Sequence, residues 1–165
     1  MASGDTLIEY TALAAEPGTA TANFATFDTR NGHPILAFVS GTVVTTQFGG
    51  ILPNNYAGGG LTVNSHWTAG TATAGTLVVG MAIERIGTVL DIDADSYAAT
   101  LLGTLTMPAT SGLLGTQSIA FSSGAAMDSL AVGEGFRLQV QRVGTFSTDT
   151  VGGTAQLIAV EIKET

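Results

Sequence analysis

The chain has 165 residues, with 13 acidic side chains against five basic ones, two histidines and no cysteine. Its length suits one domain with a proper core, since folding at this size hides roughly 70% of the surface of the unfolded chain. The missing cysteines exclude disulfides and the usual structural zinc site, and the five cations, Arg30, Arg85, Arg137, Arg142 and Lys163, are too scattered to neutralise a run of phosphates.

The sequence opens with MASGDTLIEY. It has neither a basic start nor an apolar run, so no secretory leader is expected. No apolar stretch approaches the roughly 20 residues that span a bilayer. Residues 1–33 read as an N-terminal arm or edge element. Within it, 6–13 suits a short strand, and AAEPGTATA follows without periodicity. Residues 34–165 read as the folded domain.

PILAFV (34–39) is a short continuous apolar run, as expected of a buried strand. Residues 43–51 predict a second strand, with Gly49 and Gly50 marking a bulge or bend near its end. PNNYAGGG (53–60) is a turn, because Asn and Gly tolerate positive φ. Residues 61–69 alternate with period two. Leu61, Val63 and Trp67 share one face, while Asn64 and His66 share the other. Residues 76–86 predict a long strand whose second face carries Gly80 and Ala82, small enough for something to pack closely over it.

The acidic loop DIDADS leads to strands at 97–107, 114–122, 135–144 and 154–163, and 125–130 suits one helical turn. No helical stripe occurs elsewhere. About eight short antiparallel strands punctuated by glycine turns predict an all-β jelly-roll sandwich with an extended N-terminal arm. A seven-stranded immunoglobulin-like sandwich is the alternative.

Catalytic patterns are scarce. A Ser-His-Asp centre would have to use His33, which sits in the RNGHP turn, or His66, which lies on the polar face of its strand beside a core tryptophan. No GxSxG elbow exists. Asp91, Asp93 and Asp95 resemble the first half of a calcium loop, but Ser96 and Leu102 stand where that loop needs glycine and glutamate. A solvated acidic turn is therefore expected, with no metal and no cofactor. The sequence thus reads as non-enzymatic. The residues best placed to touch a partner are His66 and two loop aromatics, Tyr56 and Tyr97.

Several segments together resemble a family of tailed-bacteriophage virion structural proteins of small jelly-roll type. They are FATFDTRNGHPILAF (24–38), LPNNYAGGGLTVNSHWTA (52–69), VVGMAIERIG (78–87), DIDADSYA (91–98), DSLAVGEGFRLQVQR (128–142) and AQLIAVEIKET (155–165). The resemblance implies a capsid decoration (cement) protein. Such a protein would bind the outer capsid surface as a homotrimer, with the major capsid protein as partner and without contacting nucleic acid or membrane. It would be made in the host cytoplasm and reside in the virion. Charged residues make up only 11% of the chain, against about 25% in ordinary domains, which fits a surface covered in an assembly. The alternative is a tail, neck or fibre component, or a carbohydrate-binding jelly-roll module.

Overall fold

The computed structural model describes residues 4–18, 23–71 and 74–165. Among the described residues, ten strands build two antiparallel sheets packed face to face. Sheet A contains β1 (Thr6–Thr11), β2 (Thr26–Arg30), β3 (His33–Phe38), β5 (Leu61–Ala69), β8 (Gly115–Phe121) and β10 (Ala155–Glu164). Sheet B contains β4 (Val43–Ile51), β6 (Gly75–Ile86), β7 (Leu101–Met107) and β9 (Gly135–Val143). Sheet A runs β2-β3-β10-β5-β8, and sheet B runs β4-β9-β6-β7. This is the jelly-roll sandwich expected from the spacing of turns.

Strand β10 organises sheet A. Along its whole length it pairs with β5 on one side. On the other side β3 takes its first half, Leu157 opposite Leu36, and β1 takes its second half, Tyr10 opposite Val160. A bulge at Ile158 separates the two halves on the β5 side. The first 33 residues thus supply two strands of the sheet. β2 joins through a two-residue Asn31-Gly32 turn in which both residues have positive φ (48° and 78°). That geometry matches the right-handed twist of a hairpin and favours Asn-Gly.

Alternation decides what is buried. Leu61, Val63, Trp67 and Ala69 of β5 face Leu77, Val79, Met81 and Ile83 of β6 and Phe136, Leu138 and Val140 of β9 in one core. Trp67 is fully buried, meets Phe38 edge-on at 4.9 Å and donates its indole N–H to Ser65 Oγ at 2.7 Å. Burial of a ring this large needs such a partner for its polar atom. The helical turn expected at 125–130 is a 3-10 turn, Ala125–Met127.

The glycine pair in β4 makes no bulge. Gly49 and Gly50 keep an unbroken register opposite Arg137 and Phe136. They serve close approach instead. A Cβ on Gly49 would stand 2.8 Å from Glu16 Oε1, and one on Gly50 would stand 2.3 Å from Tyr10 Oη. Both visitors come from the N-terminal segment, so the need for glycine is set by residues distant in the chain.

Candidate functional site

The two outer faces of the sandwich differ in how their polar groups are used. On sheet A the side chains satisfy one another. Glu161 accepts from the Thr6 hydroxyl at 2.5 Å and from Asn64 Nδ2 at 3.2 Å, and it pairs with Lys163 at 3.3 Å. Ser118 donates to Asn64 Oδ1 at 2.6 Å, and His66 Nδ1 lies 3.2 Å from Thr116 Oγ1. These contacts hold the Glu161 carboxyl below the usual carboxylate range, the Thr6 hydroxyl being the largest cause. Further along this face the Arg30 guanidinium binds the Ala69 carbonyl, Gln156 and Ser111.

The outer face of sheet B is different. Strand register sets three rows across it: Gly49–Arg137–Glu84, Gln47–Gln139–Ala82, and Thr45–Gln141–Gly80–Leu102. Strand β9 lies in the middle and presents Arg137, Gln139 and Gln141, all half-buried. Among the described residues, the side-chain amides of Gln139 and Gln141 have no hydrogen-bond partner. An amide at the surface with both donors and its acceptor unused is ready to meet a polar ligand.

Two chain segments flank this strip. On the β4 side, Glu16 exchanges backbone hydrogen bonds with Gln47 at 2.8 and 3.2 Å, and its carboxylate lies over Gly49. On the β6 side, Ala98 N–H donates to the Ile83 carbonyl at 2.9 Å, and Thr100 packs over Gly80. The close cover expected on this face of β6 is found at Gly80, supplied by Thr100 and Gln141.

Tyr97 sets one end of the strip. Its ring lies 5.6 Å from the Arg137 guanidinium, which binds Glu84 through two hydrogen bonds of 2.8 Å. Glu84 itself is buried. The hydroxyl of Tyr97 is enclosed without a partner among the described residues, and burial pushes its pKa up, against the pull of Arg137. The Glu84 contact raises the Arg137 pKa further. Tyr97 thus gives a half-buried aromatic ring against Arg137, at one end of the strand face that carries the two amides.

The three residues singled out from the sequence do not converge. Tyr97 borders the strip on sheet B. His66 lies on the outer face of sheet A, in an open cleft of about 390 Å³ with Glu9, Thr11 and Glu161. Tyr56, read as a loop aromatic available to a partner, is turned inward instead. It is 7% exposed, and its hydroxyl donates to the Gly59 carbonyl and touches Met127 Sδ. The three-glycine turn folds back over the ring, which the sequence could not show.

His33 is exposed at the start of β3. Asp91 Oδ1 accepts from the Asp93 N–H and Asp95 Oδ1 from the Ser96 N–H, so these carboxylates serve their own turn. Among the described residues no three potential ligands gather around a metal position, and no helix is long and apolar enough to cross a membrane.

Gln139 and Gln141 escaped the sequence reading because outward glutamines look like any solvated strand face. The usable signal was their alternation with Leu138 and Val140, beside the small residues of β6.

No family model and no curated protein sequence matches the chain. Solved structures do match in shape. A xylan-binding CBM22 domain of Xyn10C from Paenibacillus barcinonensis superposes with a TM-score of 0.55 at 16% identity, covering 96% of this chain and 99% of that one. The C-terminal CBM6 of the laminarinase LamC from Zobellia galactanivorans gives a TM-score of 0.50 at 9% identity, covering 95% and 98%. At such identities the likeness establishes a shared jelly-roll fold over the whole of each domain.

Proposed function

We propose that this chain is a non-catalytic, carbohydrate-recognising jelly-roll module of a tailed-phage particle, carried on a tail or fibre. The observation that carries this reading is the pair of unpartnered amides, Gln139 and Gln141, in a flanked strip that ends on Tyr97. Sugar hydroxyls need donors and acceptors in fixed positions, and the face of an aromatic ring packs against the apolar face of a sugar ring. The two neighbours in shape include a xylan-binding domain and a module of a laminarinase, which supports the choice of ligand class.

Charge narrows that class. Arg137 is neutralised by Glu84, and Glu16 adds a further carboxylate beside the strip. The preferred ligand is therefore a neutral polysaccharide, not an acidic one. A glycan array probed with the wild type and with the Gln139→Ala/Gln141→Ala variant tests this. Binding to neutral glycans that the variant loses supports the reading, and silence of the wild type across the array refutes it.

A second reading, a capsid decoration protein acting as a homotrimer, is favoured by one feature. A chain with few charges leaves large apolar side chains exposed, among them Phe27, Leu113 and Leu114. Retention of the purified protein on phage heads that lack it is the discriminating measurement.

A further inference from the structure

The end of sheet B where β4 finishes and β9 begins carries an apolar surface that neither reading of the strip uses. Ile51 and Ile86 flank Gly135 in one row across the outer face. The loop after β6 adds Val89 and Ile92, and the loop before β9 adds Val132. Val89 is 88% exposed, Ile92 68% and Ile51 67%. The Gly133 N–H donates to the Leu52 carbonyl at 2.8 Å and the Leu52 N–H to the Glu134 carbonyl at 2.9 Å, which ties the β4 and β9 loops together. The Arg85 N–H donates to Asp128 Oδ2 at 2.9 Å and its guanidinium to Glu134 at 2.6 Å, which brings in the β6 end. Five β-branched aliphatic side chains therefore share one end of the molecule.

The rim of this surface is acidic. Asp91, Asp93, Asp95, Asp128 and Glu134 lie in the same loops, five of the chain's 13 acidic residues, against the single cation Arg85. Contiguous exposed apolar surface ringed by charge marks an interaction site, and the sign of the ring selects the partner. A second copy of this chain would bring two acidic rims together, and a nucleic acid would be repelled.

We propose that this end docks a protein segment that presents aliphatic side chains between lysines or arginines, the attachment by which the module is held on a larger assembly. This inference stands apart from the glycan strip, which begins one row further in.

The test uses three synthetic peptides: one alternating valine with lysine, one valine with glutamate, and one glycine with lysine. Affinity is followed by fluorescence anisotropy and the contact mapped by amide NMR shifts. The valine–lysine peptide is expected to bind and to shift resonances of residues 86–95 and 132–135. Val89→Ser/Ile92→Ser is expected to weaken it by about tenfold or more, because apolar contact is lost from the interface. Both side chains are exposed, so the variant should melt with the wild type. Four results would overturn the proposal: no binding of the valine–lysine peptide, equal binding of the glycine–lysine peptide, shifts confined to another face, or self-association of the wild type abolished by the double substitution.

Discussion

Replacing Arg142 by Met should cost this protein about 3–5 kcal/mol, the loss typical when one partner of a buried ion pair is removed. Arg142 sits on the core-facing side of β9 with no exposure, and the Asp149 side chain is equally enclosed. The guanidinium binds both carboxylate oxygens, Oδ1 at 2.6 Å and Oδ2 at 3.2 Å. It also donates to the carbonyls of Phe38 at 3.1 Å, Gly153 at 2.7 Å and Val151 at 2.5 Å. Methionine keeps the stem volume and removes every one of these donors. A buried carboxylate, the buried carbonyls of Phe38 and Val151 and the part-buried carbonyl of Gly153 then lose a partner, and Asp149 keeps its bond from the Val78 N–H at 3.1 Å.

At about 2–4 °C per kcal/mol for a chain of this size, the melting temperature should fall by roughly 6–20 °C. Asp149→Asn should cost less, because the guanidinium retains its three carbonyls. Differential scanning calorimetry on the two variants measures the difference. Hydrogen exchange should show Thr150 and Val151, whose N–H groups are bonded to the Thr76 carbonyl, opening early in Arg142→Met. A melt within about 2 °C of the wild type would refute the assignment of Arg142 as the clamp of this loop.

Gly50→Ala should destabilise by about 1–3 kcal/mol, since its Cβ would overlap Tyr10 Oη and stand 3.1 Å from Phe136 Cζ. An unchanged urea midpoint would mean that the N-terminal strand does not pack where described. Stability should fall in acid partly through Glu161. Its folded pKa lies below the unfolded value of about 4.3, so the stabilisation is present above that value and lost as pH falls through the folded one. Glu161→Gln should therefore show a flatter dependence of melting temperature on pH below about 5. An identical profile would remove Glu161 from that role.

Local patterns carried most of the architecture. The alternation of residues 61–69 fixed both the limits of β5 and the inward turn of Trp67, because a half-buried strand must alternate. The edge strand β2 was not legible. TFDTR buries almost nothing, and its pairing depends on β3. The Gly49-Gly50 pair was misread for the same kind of reason, since its neighbours Glu16 and Tyr10 come from far along the chain. Tyr97 marks a segment beside β6, with β7 itself starting at Leu101, because Ala98 bonds Ile83 where the ladder to β7 has already ended. Single residues of the candidate site were visible, but the strip exists only through register. Nothing local aligns Gln47 with Gln139, or Gly80 with Gln141.

Sugar binding on sheet B can be watched at the amides themselves. In a titration of ¹⁵N-labelled protein with soluble laminarin and with xylan, the side-chain NH₂ signals of Gln139 and Gln141 should move in a saturable way. Tyr97 and Ala98 should follow, and the polar ladder around Glu161 on sheet A should stay still. Shifts centred on His66 and Glu161, or a spectrum unmoved by any neutral polysaccharide, would contradict recognition through the glutamine strip.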